Sequence, residues 1–450
     1  MTLFDHQRLT QATLQLHVEG IRSGLYSDKY FENVVHVLEG VRAAGYRFEG
    51  RSWRADEQGA DLSNVNVGDL IVEAQVFNRR APYALVAGVD AALVMLRWAS
   101  GCFEGGQFVE TWADLEVEAV EDGALTHYDG DPEEVQPVLR IRGRYRDFAL
   151  LETTILGVLS RATRIATSSY EAIKAAAGKP VLFFPARFDL PETQAVDGYA
   201  YWLAVQRYNA ETGAERSTQA FVSTDAQAAW WGGRGGGTVP HSLIAAFMGD
   251  TAEAMAAFAR HASPDIPRIV LADFDNDVIS TSLETLRLYF GHYRRSVEQG
   301  DHEEQRRWTL YAVRLDTSAN LRDRSMEPDG PLGVSPELVR RLRKALDTAW
   351  QNWDLPDEQT ELARTYCENV KIAVTGGFNR DRILEFEAAE APVDIYGVGS
   401  SLLRNDSSTN TDYTMDIVRV LVNGRWIDMA KVGRRANENS DLKPVDLGSL

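Results

Sequence analysis

Cysteine is nearly absent from this chain: among 450 residues only Cys102 and Cys367 carry thiols, and they stand far apart. That excludes a disulfide framework, leaves no zinc-type spacing, and fits a reducing compartment. Long apolar runs are missing too. The opening stretch MTLFDHQRLTQATLQLHVEG breaks its apolar residues with charges, so it offers neither a signal-peptide core nor a membrane span, and a cytoplasmic protein is expected. Positive charge is also short, since 47 Lys and Arg face 66 Asp and Glu for a formal charge of -19. A broad basic face is excluded, and with it nucleic acid or an anionic membrane as partner. Any anionic ligand must meet a local cluster of positive groups. No short-period repeat or low-complexity tract occurs.

What is present is an ordinary globular composition, 44% apolar and 25% charged, in a chain long enough for more than one domain. Residues 48 to 150 read as strands and turns around one helix at 82 to 100. FVETWADLEVEAVEDGALTHY and VQPVLRIRGRYRDF alternate apolar and polar residues as half-buried strands do. From residue 149 the texture changes. ALLETTILGVLSRATRIATSSYEAIKAAAG repeats apolar residues at helical spacing and stops at Gly178. Short apolar runs then alternate with amphipathic helices: PVLFFPARF, TQAFVSTDA, GGTVPHSLI, PRIVLADFD, TLYAVRLDT, VKIAVTGGF and PVDIYGVGS. This alternation predicts a parallel sheet, and its number of units favours a β/α barrel over an open sheet. TMDIVRVLVNGRWIDMAKVGRR predicts a hairpin turning at Asn423-Gly424 that rejoins the N-terminal sheet, with RNDSSTNTDYT (404 to 414) as the linker. The expected organisation is α/β: an N-terminal sheet domain over 1–148, joined by 405–450, and a β/α barrel over 149–404.

In a β/α barrel the reactive groups gather at the carboxyl ends of the strands. Those ends bring Arg187, Asp225, His241, Asp273, Arg314 with Asp316, the pair Gly376 and Gly377, and Gly397 with Gly399. Arginines, carboxylates, one histidine and two glycine pairs suit a phosphorylated ligand with a polar reaction centre. TGGF and YGVGS each end an apolar strand and precede a helix, so bare N–H groups can approach a phosphate, although glycines also simply make turns. His241 opens a long apolar helix behind the glycine-rich GGRGGG, with Ser242 beside it. Histidine is the side-chain type suited to proton and phosphate chemistry, but the residue type alone is as much at home in a structural role. Asp273 and Asp316 could equally cap helices. Arg187 and Arg314 need an anionic partner, either a ligand or an internal carboxylate. Phe184 and Tyr30 could be core aromatics.

In order along the chain, SDKYF (27 to 31), LLETTILGVLSRATRIAT (150 to 167), FFPARF (183 to 188), GTVPHSLI (237 to 244), VRLDT (313 to 317), VTGGF, VDIYGVGSSL and DIVRVLVNGRWIDMAKVGRR resemble the nicotinate phosphoribosyltransferases, and the likeness spans nearly the whole chain. What it resembles most is the shorter, archaeal-like layout. The resemblance implies the type II phosphoribosyltransferase fold, an irregular β/α barrel fused to a sheet domain made from both chain ends. It implies nicotinate mononucleotide made from nicotinate and phosphoribosyl pyrophosphate, with coupled ATP hydrolysis. His241 matches the family's phosphate acceptor, and the glycine loop would move as that phosphate comes and goes. By resemblance Phe184 and Tyr30 of a partner subunit stack on the pyridine, Arg187 faces the carboxylate, and Arg314 and Asp316 hold the ring and ribose. Mg2+ accompanies pyrophosphate and ATP, and the family implies a homodimer with shared sites.

The chain departs from the family at Pro185, at RFDLPETQ behind Arg187, at LADFDND, and in the atypical stretch 200–233, all around the nucleobase pocket. Nicotinamide phosphoribosyltransferase is therefore an alternative, with Asp225 as the group that would favour an amide over a carboxylate. A catalytically silent nucleotide-binding paralogue is another. Quinolinate phosphoribosyltransferase is disfavoured, because its pattern lacks the phosphorylatable histidine.

Overall fold

A computed structural model describes residues 7–450, the side chain of Glu215 excepted. Residues 1–6 of the stretch read above for a signal peptide lie outside the described residues. No helix among those described is long and apolar enough to cross a membrane.

Two sheets carry the fold. The first holds β1 (Ile71–Asn78), β2 (Glu116–Ala119) and β3 (Leu139–Arg144) from the N-terminal part of the chain. The second holds β4 (Val181–Phe183), β5 (Arg268–Leu271), β6 (Leu310–Leu315), β7 (Lys371–Val374) and β8 (Ile395–Val398). From the C-terminal part, β9 (Tyr413–Val422), β10 (Arg425–Asp428) and β11 (Lys443–Pro444) return to the first sheet, whose order is β10-β9-β1-β3-β2-β11. Both chain ends therefore build this sheet. Its central strand β1 pairs antiparallel with β9 on one side and β3 on the other. Val72, Ala74 and Val76 enter an apolar core, while Glu73, buried on the opposite face, meets Arg142 at 2.7 Å and Arg419 at 3.1 Å on the flanking strands. The ion pairs repay the burial of that carboxylate. Asn423 and Gly424, at φ 52° and 78°, join β9 to β10 by the expected turn.

The parallel sheet runs β4-β8-β7-β6-β5. Its first strand pairs with its last, and a parallel bridge between Phe183 and Val222 extends the sheet beyond β4. A β/α barrel would share this order, but among the described residues the sheet is open, with no ladder joining Val222 round to β5. The helix Glu152–Ala175 lies between the cores, giving Ile155 and Leu159 to one and Ile165, Ala166 and Ile173 to the other.

Several expectations need correction. TQAFVSTDA forms only the bridge at Val222, and GGTVPHSLI forms no strand. Glycines give that segment no side chains to pack on a pleated surface, and Pro240 has no N–H for a ladder. The helix opened by His241 is not long: it spans His241–Ala246, and Met248 and Gly249 end it at φ 56° and 89°. The helix read at 82 to 100 is a strand, Tyr83–Leu85, followed by a helix over Val89–Ala99.

Candidate functional site

Arg314 and Asp316 stand two residues apart along β6 and its exit, so the strand's alternation sends both side chains to one face. Arg314 Nη2 donates to Asp316 Oδ2 at 2.9 Å. Thr375, just past the end of β7, joins them. Its hydroxyl accepts from Arg314 Nε at 3.1 Å and shares its proton between Asp316 Oδ1 at 2.8 Å and the Leu315 carbonyl at 3.1 Å. The internal carboxylate thus meets the arginine's need for an anion, and guanidinium and carboxylate are fixed as one unit.

Gly376 follows at φ 87°, a conformation that L side chains rarely adopt, and a Cβ there would stand 3.1 Å from Asp316 Oδ1. Arg382 fastens this turn from below, donating to the Gly376 carbonyl at 2.7 Å and the Val334 carbonyl at 2.6 Å. Gly377 completes the turn, and the helix Arg380–Ala388 begins behind it with Asn379 as its cap. Gly397 differs from this pattern. It lies inside β8, and a Cβ on it would be 2.5 Å from Thr375 Cγ2 and 3.2 Å from the Phe184 ring. Close approach of those side chains is what requires glycine there. Gly399 leaves the strand before the turn Ser400–Leu403, with the Phe188 ring against it.

His241 begins its short helix with Nε2 3.0 Å from Asp273 Oδ1, beyond the end of β5. The imidazole is 46% exposed and the carboxylate only 9%, so the buried acid holds an accessible ring. Burial pushes the Asp273 carboxyl up, the hydrogen bond and charge of His241 oppose this, and the nearby Asp316 charge adds to the rise. Strand pairing places the two groups side by side: β5 and β6 are parallel neighbours, Ala272 N donates to the Arg314 carbonyl at 3.2 Å, and Asp273 is the next residue. Ser242 is exposed on the same helix.

Phe184 leaves β4 with its N–H bonded to the Val398 carbonyl at 2.8 Å, and its ring meets Phe221 edge-on at 5.9 Å. Arg187, three residues on, lies with its guanidinium 5.3 Å from the Phe188 ring and is not drawn into the Asp316 unit. Asp225 serves a neighbouring loop, its Oδ1 accepting from Gly235 N at 2.9 Å within the glycine-rich segment. Tyr30 is not part of this group of side chains. It stands 59% exposed on the helix Lys29–Ala43, donates to Asp28 Oδ2 at 3.2 Å, and lines a cavity of about 490 Å³ with Arg54, Tyr145, Glu152, Asp416 and Lys431.

Sequence reasoning passed over Thr375, Arg382 and Phe221. The threonine stands inside the quoted VTGGF, but nothing local marks it as the bridge between two residues of another strand. Among the described residues no three His, Cys, Asp or Glu side chains converge as a metal site.

Residues 61–163 match the family described as quinolinate phosphoribosyl transferase, N-terminal domain. Over 95% of this chain and 84% of its own, the nicotinate-nucleotide pyrophosphorylase from Pyrococcus furiosus superposes with a TM-score of 0.60 at 23% identity. The human nicotinic acid phosphoribosyltransferase is more distant, with a TM-score of 0.49 at 15% identity over 88% of this chain and 75% of its own. The domain match and the archaeal superposition establish the fold: the chain has the architecture of the type II phosphoribosyltransferases.

Proposed function

We propose that this chain, built on the type II phosphoribosyltransferase fold, transfers a phosphoribosyl group to nicotinate, giving nicotinate mononucleotide and pyrophosphate with coupled ATP hydrolysis. The observation that carries the reading is that Asp273, which holds His241, and the Arg314–Asp316–Thr375 unit stand at the ends of neighbouring parallel strands. The P. furiosus structure, named as a nicotinate-nucleotide pyrophosphorylase, supports the product class.

The chemistry asks for two things. Positive charge develops on the ribose carbon as pyrophosphate leaves, so the donor must be gripped and the pyridine nitrogen aimed at that carbon. Asp316, fixed by Arg314 and Thr375, holds the ribose side with oriented negative charge. The Gly376–Gly377 turn and the exit of β8 at Gly399 face the phosphates with backbone. Phe184, backed by Phe221, gives the ring a flat wall, and Arg187 meets the nicotinate carboxylate with a charge-assisted bond. Magnesium would be held largely by the phosphates of pyrophosphate and ATP, with Asp273 and Asp316 as the nearest carboxylates, and would neutralise their charge. Asp273 accepts a hydrogen bond from Nε2–H, which leaves His241 Nδ1 to attack the terminal phosphorus of ATP as the bond to the β-phosphate oxygen breaks and ADP leaves.

The test is a product assay offering nicotinate, nicotinamide and quinolinate separately, with and without ATP. Nicotinate mononucleotide from nicotinate, stimulated by ATP, is expected. Product from quinolinate alone, or from nicotinamide alone, replaces this reading with that of the corresponding enzyme. Within the active case, Arg187→Ala is expected to weaken nicotinate by tenfold or more, on the order of 1.5–3 kcal/mol, and nicotinamide little.

A further inference from the structure

The segment RFDLPETQ, a departure from the family behind Arg187, has a structural partner in the helix Glu152–Ala175. Arg161 on that helix grips Asp197 with both arms of its guanidinium, Nε to Oδ1 at 2.7 Å and Nη2 to Oδ2 at 2.8 Å. The same Nη2 reaches Asp189 Oδ2 at 2.5 Å and Thr193 Oγ1 at 3.1 Å. Asp189 lies two residues after Arg187 and also accepts from its neighbour Leu190 N at 2.8 Å. Between them, Phe188 lies under the Arg187 guanidinium and against Gly399. The turn that presents Arg187 is therefore tied at one end to β8 and at the other to Arg161. From the same segment, Gln194 Oε1 accepts from Thr224 Oγ1 at 2.7 Å, and Thr224 caps the turn that carries Asp225. One frame thus ties the turn that carries Arg187 to the cap of the short helix that carries Asp225.

We propose that Arg161 is a positioning residue for ligand charge: through Asp189 it fixes the Arg187 turn and so sets the preference for a ring bearing a carboxylate over the corresponding amide. This rests on the reading above, in which Arg187 meets that carboxylate. The two carboxylates held by Arg161 are not equivalent. Asp197 is 4% exposed and Asp189 is 33% exposed. Removing the arginine would strand a buried charge and endanger the fold. Removing Asp189 cuts the tie to Arg161 and the bond from Leu190 N, and strands no buried charge.

The experiment measures binding of nicotinate, nicotinamide and phosphoribosyl pyrophosphate by calorimetry to the full chain, to Asp189→Ala, to Asp189→Asn and to Arg161→Lys. Asp189→Ala is expected to weaken nicotinate on the order of three- to tenfold and to leave the other two ligands within about twofold. Asp189→Asn keeps the bond to Leu190 and is expected to fall between. Arg161→Lys keeps the charge but loses the fork that spans both carboxylates, and follows Asp189→Ala. Combined with Arg187→Ala, none of them should add a further loss, because the frame acts through that arginine. Equal weakening of nicotinate and nicotinamide, no weakening, or full additivity with Arg187→Ala overturns the inference. A wild-type chain that does not prefer nicotinate to nicotinamide removes the parent reading and this one together. A wild-type preference that is undiminished in Asp189→Ala removes only this one.

Discussion

His241 and Asp273 meet at 3.0 Å through Nε2 and Oδ1, the ring exposed to solvent and the carboxylate buried behind it. A carboxylate on one nitrogen fixes the tautomer and makes the other more nucleophilic. Asp273→Asn should therefore slow transfer of phosphate from ATP to His241 by about 10- to 100-fold, the scale known for the carboxylate partners of metal-bound histidines. The fold should tolerate it, since burial already disfavours the charge at this site. Labelled phosphate retained on the protein reads the rate directly. His241→Ala should abolish ATP stimulation and leave slow ATP-independent product formation. Equal loss of both activities would instead give His241 a part in the glycosyl transfer.

Thr375 should matter more than its size suggests. Thr375→Val keeps the branched shape but leaves Arg314 Nε without its acceptor and Asp316 Oδ1 without its donor. The expected loss is about 1–3 kcal/mol in kcat/KM for phosphoribosyl pyrophosphate, roughly 5- to 150-fold. An unchanged kcat/KM would show that Arg314 and Asp316 hold each other without the hydroxyl.

These contacts mark where sequence reading succeeds and where it stops. The parallel strands β5 to β8 are legible because strands buried on both faces read as near-continuous apolar runs. The helix through Arg161 is legible from its period, and the β9–β10 turn from Asn423-Gly424. GGTVPHSLI carries the same apolar residues as a strand, yet it forms none, because glycine and proline remove what a ladder needs. Gly397 reads as a phosphate-loop glycine and stands in β8, required by the rings and methyls of Phe184 and Thr375 that pack on it. Packing of that kind has no local signature. Nor does the tie between Arg161 and Asp189, whose residues belong to separate elements and reveal their relation only once the helix lies against the turn.

Glu152 offers a test through pH. Burial pushes its carboxyl up to about 7, with the charges of Asp416 and Asp28 adding to the effect. The folded chain thus holds this proton more tightly than the unfolded chain, whose glutamate titrates near 4.5. This contribution is most favourable below about pH 4.5, is lost as pH rises toward 7, and stays lost above it. Glu152→Gln should be more stable than wild type at pH 8 by about 1–2 kcal/mol, discounted for the solvent that reaches the side chain, and the difference should vanish near pH 4.5. Urea denaturation of both chains at matched concentration across that range is the measurement. A constant difference at every pH would mean that shape, not titration, separates the two.

The last prediction concerns Tyr30, whose aromatic ring stands exposed on the sheet domain while Phe184 lies at the end of β4. If one pyridine is to be stacked between them, the tyrosine must come from a second copy of the chain, and a two-fold dimer would then make two equivalent sites from one reciprocal contact. Exposed Leu25, Tyr26, Val37 and Trp53 on the same N-terminal segment give such a contact apolar area to bury. The alternative is that Tyr30 only steadies its own helix through Asp28 and Phe31. Chains carrying Tyr30→Ala and chains carrying His241→Ala should each lack ATP-stimulated turnover as homodimers. In a mixed dimer one site receives both defects and the other receives neither, so exchange of subunits should restore up to half of the wild-type activity per mixed dimer. If exchange is verified by mass and no activity returns, Tyr30 acts within its own subunit and the shared site is wrong.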